Sequence, residues 1–184
     1  MISEIQKRKF HHFFNVLDFD KNGCLQPEDF VNIGRRIIEA RSIDASSRRA
    51  QLILVKSHQL YIQLLADSDN PELSVTLYDW IEFFRLQLIK DVGNRILEYY
   101  IHRISRHIFD LFDANRDQLI SKEEYTHMLT VYQISEGNCA RGFKEIDTNN
   151  DGFISSEEMI NGLRNFFMSN NLDAPGNRIF GEWS

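Results

Sequence analysis

Basic charge, cysteine and methionine are all scarce in this 184-residue chain, and each shortage closes off a class of function. The 21 Lys and Arg against 27 Asp and Glu leave a formal charge of −6 and a pI near 5.5. No basic run interrupts that balance, so neither nucleic acid nor an anionic membrane is expected as a main partner. Two cysteines, Cys24 and Cys139, are too few for a disulfide framework and form no C-x-x-C pair, which points to a reducing, cytoplasmic home. No window approaches the roughly 18 uninterrupted apolar residues of a membrane span, so no stable membrane insertion is expected. The opening stretch MISEIQKRKFHHFF mixes charge with apolar positions and does not read as a signal peptide. Ile2 stands where a myristoylation signal needs glycine. There is no phosphate loop of the G-x-x-x-x-G-K-[ST] type. The six histidines (His11, His12, His58, His102, His107, His127) form no nucleophilic or metal-ligating constellation, so no enzyme is expected. What the chain does hold is 42% hydrophobic residues with 14 Phe, enough for a substantial core.

It also holds one stretch around which the rest is organised. Residues 147–158, DTNNDGFISSEE, match D-x-[DN]-x-[DN]-G-x5-E in full, with Asp147, Asn149, Asp151, Gly152 and Glu158 at positions 1, 3, 5, 6 and 12. A hard divalent cation takes six to eight oxygens at about 2.3–2.6 Å, more than any regular element can aim at one point, whereas a loop of twelve residues can. Asp147, Asn149 and Asp151 offer side-chain oxygens, Phe153 its carbonyl, Ser155 a position for water, and Glu158 two carboxylate oxygens. Gly152 supplies the positive φ of the turn. Ser155 and Glu158 are also the S-x-x-E capping box of the following helix, so cage and helix start are set together. The competing reading, an Asx-rich surface turn between helices, requires many specified positions to coincide by chance.

Residues 18–29 repeat the pattern as DFDKNGCLQPED, with ligands Asp18, Asp20, Asn22, the Cys24 carbonyl, Gln26 and Asp29. Aspartate at position 12 is one methylene short. A tighter, six-coordinate cavity is friendlier to Mg2+, so a mixed Ca2+/Mg2+ site is expected here. Pro27 fits the first turn of the outgoing helix. Residues 113–124, DANRDQLISKEE, offer Asp113, Asn115, Asp117, the Leu119 carbonyl, Ser121 and Glu124. Gln118 stands where glycine belongs, and a side chain at positive φ costs on the order of 1 kcal/mol, so this site is expected to bind below the Asp147 loop. A fourth stretch around residues 67–79 is degenerate. In one register Ser68, Asn70, Glu72 and Asp79 take positions 1, 3, 5 and 12 with Leu73 for the glycine; in the other Pro71 falls at position 5. It is expected to be empty, kept as a pairing partner, with Thr76 and Asp79 capping the next helix.

Helical periodicity flanks every loop. Phe10, Phe13, Phe14 and Leu17 precede the first; Phe30, Ile33, Ile37 and Ile38 follow it. A run from Ser47 to about Asp67 holds Leu52, Val55, Leu60, Ile62 and Leu65; Trp80, Ile81, Phe84 and Leu88 follow the second loop. Gly93 marks a stop. Ile96, Ile101, Ile104, Ile108 and Leu111 are the expected buried stripe of the next helix, then Tyr125, Met128, Leu129 and Tyr132, then Phe143 and Ile146, and finally Met159, Ile160, Leu163, Phe166 and Phe167. The expected fold is all-α: four helix-loop-helix units in two packed pairs, residues 1–92 and 93–168. Position 8 of each loop is apolar (Leu25, Val75, Ile120, Ile154), so loops pair first with second and third with fourth through short strand contacts. The segment 169–184 ends in Ile179, Phe180 and Trp183, costly to leave wet, and is expected to fold back on the apolar surface between the halves.

These residues resemble the EF-hand superfamily, and within it the sarcoplasmic calcium-binding proteins with their calexcitin and calerythrin branches. The specific points are three intact loops with a degenerate second, aspartate closing the first, and the A-P-G-N-x-x-F-G form of Ala174 to Gly181. The resemblance implies a compact, mostly closed pair of calmodulin-like lobes that buffers Ca2+ in the cytoplasm, with Mg2+ competing; Gln118 and the Pro71 loop depart from the pattern. Three Ca2+ ions, with Mg2+ competing mainly at residues 18–29, and a monomer are therefore expected. Opening sensors expose a methionine-rich groove. Beyond Met1 only Met128, Met159 and Met168 are present, so a buffer is expected ahead of a sensor with a protein or membrane target. Diol-kinase-like or photoprotein-like ligand chemistry on the same architecture is the third reading.

Overall fold

The chain begins with a cap that the sequence encodes locally. Ser3 Oγ accepts from the Gln6 N–H (3.1 Å) while Gln6 Oε1 accepts from the Ser3 N–H (3.0 Å), satisfying two donors at the start of α1 (Glu4–Leu17). The computed structural model describes residues 2–65, 74–90, 95–135, 137 and 139–183. Among these, β1 (Cys24–Leu25), α2 (Pro27–Ala40), α3 (Arg48–Leu65), β2 (Val75–Thr76), α4 (Leu77–Lys90), α5 (Arg95–Phe112), β3 (Leu119–Ser121), α6 (Lys122–Val131), α7 (Cys139–Ile146), β4 (Phe153–Ser155) and α8 (Ser156–Met168) follow in order. Pro27 occupies the first turn of α2, where its missing N–H costs nothing.

Two antiparallel strand pairs tie the loops together. Leu25 faces Val75, and Ile120 faces Ile154, all four buried, so the position-8 residues meet as the spacing predicts. Residues 66–73, which hold Ser68, Asn70, Pro71, Glu72 and Leu73 of the degenerate loop, the Gly93 stop and the expected boundary between residues 92 and 93 lie outside the described residues.

The core is aromatic and continuous across both strand pairs. Phe13 of α1 lies between Phe180 (stacked, 4.5 Å), Trp80 of α4 (5.6 Å) and Phe167 of α8 (5.5 Å). Phe10 stacks on Phe84 at 4.6 Å, and Phe84 on Phe167 at 5.3 Å. Trp80 Nε1 donates to the Phe10 carbonyl at 3.0 Å, so the one polar atom of this ring is satisfied inside the core. The C-terminal segment does fold back, with Ile179 and Phe180 fully buried and Trp183 half-buried.

Two helix faces differ from expectation. Ile96 is 46% exposed, because Leu97, Tyr100, Ile101, Ile104, Ile108 and Leu111 define the inward side of α5 and Ile96 is turned roughly 90° from it. On α3 the buried side is Ala50, Ile53, Ser57, Leu60 and Tyr61, leaving Leu52, Val55 and Ile62 about half exposed on the opposite side.

Candidate metal centres

Each described loop is built by one repeated set of hydrogen bonds. The position-1 carboxylate accepts from the position-6 N–H: Gly23 to Asp18 at 3.0 Å, Gln118 to Asp113 at 3.0 Å, Gly152 to Asp147 at 3.1 Å. The position-5 side chain accepts from the position-7 N–H: Cys24 to Asn22 at 2.8 Å, Leu119 to Asp117 and Phe153 to Asp151 at 2.9 Å. The position-3 amides, Asn115 and Asn149, donate to the position-5 carboxylates Asp117 (2.7 Å) and Asp151 (2.9 Å); in the first loop the order is inverted and Asn22 donates to Asp20 (3.0 Å). These bonds draw the oxygens of positions 1, 3 and 5 to one side of the loop before any ion is considered.

Position 12 closes each loop from the far end. In the first, Asp29 Oδ1 accepts from the Phe19 N–H (2.9 Å) and Oδ2 from the Gln26 N–H (2.8 Å). In the third, Glu124 takes the Ala114 N–H (2.7 Å) and the Ser121 N–H (3.0 Å). In the fourth, Glu158 takes the Thr148 N–H (3.0 Å) and the Ser155 N–H (2.9 Å). Aspartate therefore reproduces both glutamate contacts despite its shorter stem. Ser155 caps α8 through its hydroxyl as expected, Ser121 does the same for α6, and Thr76 and Asp79 form the same reciprocal pair at α4, with Thr76 N–H and Oγ1 donating at 3.1 and 2.7 Å.

The tightest gathering of charge is in the first loop. Asp18, Asp20 and Asp29 bring carboxylate oxygens within 4.8 Å of one another, and no other His, Cys, Asp or Glu trio among the described residues does so. Asp18 and Asp29 are buried. Burial, with Asp20 adding repulsion, holds the Asp29 carboxyl above its usual range against three backbone hydrogen bonds. For Glu158 burial pushes the same way, but hydrogen bonds from Ser155, Thr148 and Asn149 outweigh it and hold the carboxyl below its usual range. The fourth loop thus keeps its closing carboxylate anionic with protein donors, whereas the first leaves it short of compensation. A hard cation fits all three donor sets, which are oxygen throughout: Asp18, Asp20, Asn22, Gln26 and Asp29 in the first, Asp113, Asn115, Asp117, Ser121 and Glu124 in the third, Asp147, Asn149, Asp151, Ser155 and Glu158 in the fourth. The position-7 carbonyls of Cys24, Leu119 and Phe153 belong to the first residues of β1, β3 and β4.

Sequence reasoning placed positive φ at position 6, where Gly23 (85°), Gln118 (68°) and Gly152 (88°) adopt it. It missed position 4, where Lys21 (60°), Arg116 (64°) and Asn150 (58°) adopt it too. Of these three only the asparagine is a residue type enriched in that region.

Loops built this way are found in calcium-binding proteins, and the comparisons agree. The family model described as EF hand matches residues 106–129 and 140–163, which span the third and fourth loops. A polcalcin, Cyn d 7 of Cynodon dactylon, is 46% identical over 55 residues, 29% of this chain and 69% of the relative. The chain belongs to the EF-hand family of calcium-binding proteins. Its full-length likeness is to the calerythrin and sarcoplasmic type: calerythrin of Saccharopolyspora erythraea is 26% identical over 167 residues, covering 90% of this chain and 94% of the relative. The structure of a sarcoplasmic calcium-binding protein from amphioxus has the same fold, with a TM-score of 0.74, 17% identity, and 99% of each chain covered. These are calcium-binding proteins and not enzymes. No helix among the described residues is long and apolar enough to cross a membrane.

Proposed function

We propose that this protein is a monomeric cytoplasmic calcium buffer with three sites, at residues 18–29, 113–124 and 147–158, in two EF-hand pairs, and with Mg2+ competing chiefly at the first. The observation that carries the buffer reading is the filling of the interior by residues of α1, α4, α8 and the C-terminal segment together. Phe180 of the C-terminal segment stacks on Phe13 of α1 and meets Phe166 of α8 edge-on at 5.3 Å. Met128 and Met159 are fully buried. A sensor opens a groove by parting helices, whereas here a third segment is wedged among them. Mg2+ competition at the first site is supported by Asp29, whose short side chain favours a small six-coordinate cavity.

Calorimetric titration of the calcium-free protein, with and without millimolar Mg2+, tests the count: three sites are expected, with Mg2+ weakening calcium mainly at one. Two or four sites, or Mg2+ acting on all alike, would sink the proposal. The exposed Leu52, Val55 and Ile62 on α3 favour a second reading, a sensor whose apolar face meets a protein target. Calcium-dependent retention on a phenyl-substituted matrix separates the two, since a buffer gains no affinity for it.

A further inference from the structure

Between α5 and α8 lies a half-open cleft of about 500 Å³ whose lining includes Tyr99, Arg103, Ser105, Arg106, Phe109 and Ile160. Its volume is in the range of small-molecule sites, roughly 300–1,000 Å³. Gln118 of the third loop and Ser156 at the start of α8 also line it.

Three features mark it as built for a ligand. The first is an unmet hydrogen bond: Ser105 is 1% exposed and its Oγ has no partner. A buried hydroxyl left this way forgoes a hydrogen bond at a cost to stability, and Ser105 is among the residues that line the cleft. The second is unneutralised positive charge in an acidic protein. The carboxylates nearest in sequence on α5 are already engaged, Glu98 by Arg164 (2.6 Å) and Asp110 by Lys56 (2.7 Å). Arg103 lies 4.5 Å from the Tyr99 ring centroid, and among the described residues neither Arg103 nor Arg106 has a carboxylate partner. The third is an apolar remainder, since Tyr99, Phe109 and Ile160 offer ring and branched surface beside the guanidinium groups.

The geometry points to a binding site for a small amphiphilic anion: a carboxylate or sulfonate held by Arg103 and Arg106 with the Ser105 hydroxyl donating to it, and an aromatic or branched body against Phe109, Ile160 and Tyr99. Arginine's planar fork suits a carboxylate, and the place of Gln118 in the lining gives the third loop's departure from glycine at position 6 a use. A Cβ placed at Gly23 or Gly152 meets nothing within 4 Å, so what opposes a side chain at position 6 is the backbone angle and not a lack of room.

The test uses the full calcium-loaded chain and 2-naphthoate as probe, with neutral 2-naphthamide beside it, followed by calorimetry and by backbone amide NMR shifts. One naphthoate is expected per chain, with shifts centred on residues 99–109 and 156–160, and with the amide about tenfold weaker. Arg103→Gln and Arg106→Gln, neither at a fully buried position, should each weaken naphthoate about tenfold, and Ser105→Ala several-fold, with calcium stoichiometry unchanged. Equal binding of naphthoate and naphthamide, shifts centred elsewhere, or indifference to all three substitutions would overturn the site. Gln118→Gly adds a separate arm, resting on calcium binding at the third loop: naphthoate should weaken while calcium tightens. If naphthoate weakens and calcium does not respond, the cleft stands and the reading of the third loop fails.

Discussion

Gln118 shows how much a single position can decide. At φ 68° it holds a conformation that glycine adopts freely and glutamine does not, while its N–H still donates to Asp113 at 3.0 Å. The loop therefore keeps its geometry at a cost on the order of 1 kcal/mol, and Gln118→Gly should tighten calcium at the third loop about fivefold by calorimetry. No tightening would mean that strain does not set this affinity. His107 is a residue-scale case of the opposite kind. Fully enclosed near Asp110 and Lys56 and with Nε2 unpartnered, it is held neutral, its pKa pushed down by burial to about 3. The unfolded chain binds a proton here below about 6.5 and the folded chain does not. Stability is therefore lost as pH falls from about 6.5 towards 3. Between pH 7 and pH 5 the calcium-loaded melting temperature of the native chain should fall by roughly 4–8 °C more than that of His107→Leu. Equal slopes would show that the imidazole is protonated in the fold.

The sequence also conveys residue identity better than residue surroundings. The hydrogen-bonded frame of each described loop was legible because the loop fixes spacing. Lys9 was not: in a run of charge it reads as solvated, yet it is fully buried, its Nζ donating to the Asn165 and Ser169 carbonyls at 3.2 and 2.8 Å. Those acceptors sit in the last turn of α8 and at its C-cap, 156 and 160 residues away, where the helix dipole favours a cation. No local pattern carries that information.

At the scale of elements, helices were legible as helices, but their orientation depended on how one-sided they are. On α1, where apolar residues fall on one side, Phe10, Phe13, Phe14 and Leu17 are buried as read. On α3, apolar residues surround the helix, so periodicity could not choose between the side holding Ile53 and Leu60 and the side holding Leu52 and Val55. The C-terminal segment was legible from the cost of wetting Ile179 and Phe180, but its lock was not. Gly176, at φ 89°, lies so close to the Gly162 backbone that a Cβ would clash, and Tyr125 Oη donates to the Ile179 carbonyl at 3.0 Å. Because this segment fills the space between α1 and α8, Phe180→Ala should cost about 3–5 kcal/mol and lower the melting temperature by roughly 6–20 °C. A loss under 1 kcal/mol by denaturant titration would mean that the segment rests on a core already closed without it. Strand pairing sets a further element-scale expectation. Leu25 faces Val75 with both buried, so Val75→Asn should weaken calcium at the first loop severalfold, although residue 75 belongs to the other loop. Unchanged calorimetric affinity there would show that the first loop is formed without its partner.

For the molecule as a whole, the loops concentrate like charge that the fold only partly compensates. The formal charge is −6, and in the first loop alone three carboxylates lie within 4.8 Å of one another. Ions that bind the folded chain and not the unfolded one stabilise it by mass action, about 4 kcal/mol per site at a thousandfold excess over Kd. The calcium-loaded protein should therefore melt well above the calcium-free one. The two states should also differ in their response to salt. Without calcium, repulsion among the loop carboxylates opposes folding, and raising NaCl from 0.1 to 1 M shortens the screening length from about 10 to about 3 Å. Calcium-free protein should thus gain melting temperature across that range, while calcium-loaded protein, its loop charge already offset, should change little, so the gap between them narrows. Scanning calorimetry at both salt concentrations, with potassium chloride repeated in place of sodium, checks this. A gap that stays constant with salt would mean that calcium stabilises the fold by fixing the loops' conformation rather than by relieving their charge.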